Sequence, residues 1–111
     1  MTDKRIEKTK STVESAGNIP ADKKAELLDR LSKIKPAIAK VAQTHNEEHA
    51  QSIARLVETS THEAARKNRR PELLEKVLRE LRQSVEKFEA SHPELVASVN
   101  EYSTLLSALG I

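Results

Sequence analysis

His45, Glu48 and His49 fall within one short stretch, His45-Asn46-Glu47-Glu48-His49, and match the H-x-x-E-H arrangement of inverted zinc peptidases. Helical residues four apart share a face, so the two imidazoles could close on one divalent cation. A catalytic centre also needs a third protein ligand, an open coordination position and a cleft for a peptide. The chain has no cysteine, so a third ligand must be a carboxylate or another histidine from elsewhere. So short a pattern has little specificity alone. The expected reading is a polar stretch of helix surface. His45 and His49 stand as the metal candidates, with no cofactor and no resident metal expected.

Ser91 and His92, flanked by Glu89 and Glu94, offer the types needed for a nucleophile and its base. Groups this close in sequence rarely reach triad geometry, and no oxyanion donors accompany them. Ser91-His92-Pro93-Glu94 fits better as a capping box, with Ser91 the cap and Glu94 three residues on. No catalytic residue is therefore assigned, and the chain is expected not to be an enzyme. Arg66, Lys67, Arg69 and Arg70 form a basic cluster around Asn68 that could contact phosphates. Glu63 and Glu72 flank it, and the simpler reading is compensation of a helix C-terminus at a soluble turn.

Composition narrows the function classes. The chain has 111 residues, the size of one domain, and its 32% charged residues nearly cancel to a net charge of +2. It is not a polyanion-binding protein by bulk charge. Phe88 and Tyr102 are the only aromatic residues and Gly17 and Gly110 the only glycines, leaving no stacking platform for bases and no glycine-rich phosphate loop. Zinc-thiolate sites, disulfides and cysteine nucleophiles are excluded. No apolar run approaches the roughly 18–20 residues needed to span a bilayer. MTDKRIEKTK has no apolar signal region, so a cytoplasmic protein is the expectation.

The elements that must hold these residues are helical, since no stretch alternates with a strand's period. A short N-terminal helix within residues 1–17 has a thin apolar stripe, Ile6 and Val13. Leu27, Leu31, Ile34, Ile38 and Val41 then recur at spacings of 4 and 3, a heptad seam, which reaches His45. Pro36 lies inside this run but off the stripe, and the phase survives it. That predicts a kinked but continuous helix, a true break being the alternative. Beyond Val41 the stripe slips by one residue and weakens through Ala42, His49, Ile53, Leu56 and Ser60. Asn68-Arg69-Arg70-Pro71 marks a break. After it, Leu74, Leu78, Leu81, Val85, Phe88, His92, Leu95, Val99, Tyr102, Leu106 and Leu109 keep the alternation without a slip, widened by Leu73, Val77, Val96 and Leu105. At Pro93 the capping box argues for a new helix and the unbroken phase for one kinked helix. Sequence alone leaves both open.

The tail, Phe88-Glu89-Ala90-Ser91-His92-Pro93 followed by Leu95, Asn100, Leu106 and Leu109-Gly110-Ile111, resembles that of an uncharacterised bacterial family of short helical proteins, a domain of unknown function. The resemblance covers about residues 74–111. It implies a compact helical bacterial protein with the Ser-His-Pro junction built into the design. It implies no activity, and residues 42–70 have no counterpart in it.

The expected fold is all-α: an antiparallel helical hairpin or bundle of long, proline-kinked heptad helices plus a short N-terminal helix. The single domain, 1–111, divides into the N-terminal helix 1–17, a kinked arm over 20–67 and a second over 71–109. Two such arms bury one seam, and helix one is too thin to cover the remaining apolar positions. The expected function is thus a non-enzymatic helical interaction or structural module, a homo-oligomer (a dimer by preference) associating through Leu27 to Val41 and Leu74 to Leu109. An unidentified protein partner is compatible with this; nucleic acid and membrane are not expected. The rival is a weak nucleic-acid- or anion-associated regulatory binder using the Arg66–Arg70 turn.

Overall fold

The computed structural model describes residues 2–109, and its elements are helices: α1 (Thr2–Ser15), α2 (Ala21–Thr44), α3 (Glu47–Ala64), α4 (Pro71–Glu86) and α5 (Pro93–Leu109). The Gly110-Ile111 end of the tail motif lies outside the described residues. A single helix over residues 20–67 would be about 70 Å long at 1.5 Å per residue. The longest dimension of the molecule is 37 Å, close to the roughly 36 Å of the 24-residue α2 alone. Each expected arm is in fact two helices, folded back on each other.

The first arm breaks at His45 and Asn46, not at Pro36. Pro36 lies within α2 and faces solvent, where its missing N–H and ring cost least. At Asn46 the backbone becomes extended (φ −162°, ψ 163°), and its side-chain oxygen accepts a 2.8 Å hydrogen bond from the His49 N–H. This is an N-cap, followed by Glu47 and Glu48 in the positively polarised first turn of α3. The one-residue slip in the apolar stripe is the trace of that break. The second arm breaks over residues 87–92, where the Phe88 and Glu89 N–H groups reach only three residues back, to Val85 and Glu86. Helix α5 then opens at Pro93. The carbonyl of His92 accepts from Leu95 and Val96 at its start. Ser91, expected as the cap, stands one residue too early and is exposed.

Helices α2, α3 and α5 touch one another in a triangle. Helix α1 closes the α2–α3 side and α4 closes the α3–α5 side. The apolar seam residues end up in this one core: Leu27, Leu31, Ile34, Ile38 and Val41 are fully buried, as are Leu78, Leu81, Val85, Leu95, Val99, Tyr102 and Leu106, while Leu74, Phe88 and Leu109 are at most 8% exposed; His92 is half-buried and His45 exposed. Helix α1 buries more than its stripe predicts, with Ile6, Thr9 and Val13 at 0%. Thr9 is admitted because its hydroxyl donates to the Arg5 carbonyl (2.8 Å), as buried hydroxyls must find a partner. Ala50, Ala54 and Ala64 on α3 keep that helix slim enough to touch all four others, while Ser52, Arg55, Thr59 and His62 face solvent. The premise that a wide apolar face awaits a second chain is therefore corrected: five helices cover it within one chain. Val77 is buried too, and Leu73, Val96 and Leu105 remain half-buried.

Candidate functional site

The two motifs singled out in the sequence meet at the helix joints. His45 ends α2, His49 lies in the first turn of α3, and Phe88 and His92 come from the turn between α4 and α5. His45 and His49 are not on one helix, because Asn46 starts a new one. The shared-face premise of the H-x-x-E-H pattern fails there. The rings nonetheless gather around Phe88. Its centroid lies 4.8 Å from that of His45, 5.8 Å from His49 and 6.2 Å from His92, each contact edge-to-face; His45 and His92 are 5.3 Å apart. Phe88 is 3% exposed, so the imidazoles form the lid over an apolar plug.

Hydrogen bonds fix two of these rings. The Thr44 hydroxyl lies 2.8 Å from the Lys40 carbonyl and 2.9 Å from His92 Nε2. Its single proton goes to the carbonyl, so His92 Nε2 is the donor to Thr44. His49 Nδ1 lies 3.2 Å from Lys87 Nζ, where the ammonium donates and the ring accepts. These contacts join the end of α2 and the start of α3 to the α4–α5 turn. Among the described residues, no group of three or more histidine, aspartate or glutamate side chains is arranged to hold a metal ion. Ser91 has no hydrogen bond to His92, and Glu94 pairs at 3.7 Å with Lys40. What this arrangement does is latch two joints together.

The basic turn is likewise built into the structure. Arg69 Nε donates to the Ala64 carbonyl at the end of α3 (2.8 Å), and its Nη2 donates to the Asn18 carbonyl between α1 and α2 (3.0 Å). Asn18 returns a bond from its side-chain amide to the Arg66 carbonyl (2.8 Å). Arg70 grips both carboxylate oxygens of Glu63 at 3.0 and 3.1 Å, and Arg66 stands 3.8 Å from the same group. Glu63 is 7% exposed, and a carboxylate that deep needs such partners. Lys67 alone in the cluster is exposed with no ion partner among the described residues.

Sequence reasoning missed a polar contact inside the core. The Thr61 hydroxyl donates to the Val57 carbonyl (2.7 Å) and accepts from the Tyr102 hydroxyl. Tyr102 is fully buried, and this burial pushes its phenol well above the usual range. The 4-and-3 spacing identifies Tyr102 as a core residue but cannot tell which hydroxyl it will meet. No helix among the described residues is long and apolar enough to cross a membrane. A scan of protein-family models finds no match, and searches of curated proteins and of solved structures find none at a significant level.

Proposed function

We propose that the chain is a non-enzymatic helical interaction module that associates through the outward face of α4, beside α5, and not through its heptad seams. The supporting observation is a contrast in how side chains are used. Of the groups with chemical potential, His49, His92 and the arginines of the 66–70 turn are engaged in holding the bundle together. Lys76, Arg79, Arg82 and Glu86 on α4 are at least partly exposed and have no ion partner among the described residues. Cytoplasmic residence and kinship with the short bacterial helical proteins whose tail it resembles belong to the same proposal.

Site-specific photocrosslinking in the host tests it. A photoreactive residue at Gln83, exposed on α4, should yield protein adducts well above those from the same residue at Ala25, exposed on α2. Equal or absent adducts would contradict the reading. So would zinc-dependent hydrolysis of casein or esters by the purified protein that is abolished in Glu48→Gln.

A further inference from the structure

The outer face of α4 stands apart from the rest of the surface in its charge pairing. Ion pairs tie α1 to α3 (Arg5–Glu58, 2.9 Å), α1 to α2 (Glu7–Lys35, 3.1 Å), α2 to α5 (Arg30–Glu101, 3.3 Å) and the α3–α4 connection back to α3 (Arg70–Glu63, 3.0 Å). No described ion pair involves residues 71–92. Residues 76, 79, 83 and 86 step by three and four along α4, so they share one face. Lys76, Arg79 and Arg82, with the exposed Glu80 among them, leave its middle net positive. Glu86, with Glu89 in the following turn, makes its C-terminal end negative. Beside this stripe runs a groove of about 530 Å³ with Val96, Asn100 and Thr104 on its α5 side.

We propose that this face binds a second copy of the chain, α4 against α4, antiparallel about a two-fold axis. The proposal rests on the reading that α4 is the working surface, and it adds the occupant. A two-fold contact must bring residue i to j and j to i. In an antiparallel pair the numbers of facing residues share one sum. Setting Arg79 opposite the partner's Glu86 therefore also sets Lys76 opposite Glu89 and Arg82 opposite Gln83. Arg82 is then displaced by three residues, about 4.5 Å along the axis, from the position facing the same Glu86. Glu72 and Glu75 extend past the end of the partner's α4, and Glu80 falls opposite Val85, so none meets a like charge; Glu75 already accepts the Ser107 hydroxyl at 2.6 Å. A polyanion on this face would meet Glu86 and Glu89, and a polycation would meet Arg79 and Arg82, whereas a reversed copy matches both signs. One helix face about 24 Å long and 10 Å wide offers roughly 250 Å² per copy, about 500 Å² in all, which places the dimer among weak, transient contacts. Its polar contacts make it sensitive to salt.

Sedimentation of the full chain, from low to high micromolar concentration in dilute salt, tests this. The wild type should shift reversibly from one 12.4 kDa chain toward two, and by less in high salt. Arg79→Glu and Glu86→Arg should each weaken association about tenfold or more, because each brings like charges together in both halves of the interface. An equal mixture of the two variants should restore it, since every repulsive pair becomes attractive. Circular dichroism checks that both variants fold, with Arg82→Glu as a substitute for Arg79→Glu. A wild type that stays monomeric throughout overturns the proposal. So does a dimer indifferent to these substitutions, or one that the mixture fails to restore. Adducts from Gln83 to a different protein, with a monomeric purified chain, would overturn the self-association and leave the interaction-module reading standing.

Discussion

Tyr102 sits where α3 and α5 meet, with its hydroxyl on Thr61 and no exposure to water. Burial raises its phenol in the folded state above the unfolded value of about 10. A raised value means that the stability contributed is fully present below the unfolded pKa and is lost as pH rises past it. Tyr102 is the only tyrosine and there is no tryptophan, so tyrosinate absorbance near 295 nm reports this residue alone. It should stay silent through its ordinary range and appear together with the loss of helical dichroism. Titration near pH 10 with the helices intact would contradict the burial. The basic turn makes a second prediction at this scale. Arg70→Gln leaves Glu63 with Arg66 alone and should destabilise the protein by about 1–2 kcal/mol, discounted for the exposure of Arg70. Lys67→Gln should change the urea midpoint by almost nothing. Equal effects from both would mean that the cluster is ordinary surface charge.

Among the elements, α2 and α3 show how far the sequence can be read. The apolar seam residues Leu27 to Val41 and Leu74 to Leu109 were legible because 4-and-3 spacing reports which side of a helix is apolar; all of them are buried, while His92 in the same run is half-buried. The same spacing says nothing about which helix will cover that side, so one-chain and two-chain solutions look alike. The break at Asn46 was legible in principle, because Asn followed by Glu47 and Glu48 is an N-cap signal. It is masked by the stripe that slips one residue and continues through Ala42, His49 and Ile53, since spacing alone does not tell a slip from a break. The convergence of His45, His49 and His92 on Phe88 was not legible, since it depends on two joints meeting in space. Asn46→Ala should cost about 1 kcal/mol, typical of a lost N-cap, read as a lower denaturant midpoint with an unchanged slope. No loss would mean that α2 and α3 run through the joint as one helix.

At the scale of the molecule, the radius of gyration is 12.9 Å, close to the roughly 13 Å of a compact domain of this length. Three helices in a triangle with one more on each of two sides enclose the described seam residues within one chain, so the proposed association through α4 would add to the fold and not complete it. Such a chain unfolds with a midpoint independent of its concentration, whereas a seam-built oligomer loses its core on dilution. The decisive measurement is thermal unfolding followed by circular dichroism over a dilution series well below the micromolar range. A one-chain core requires full helicity at the lowest concentration and one cooperative transition at a fixed midpoint throughout. Helix lost on dilution, or a midpoint falling steadily with concentration across that range, would show instead that Leu27 to Val41 and Leu74 to Leu109 are buried between chains.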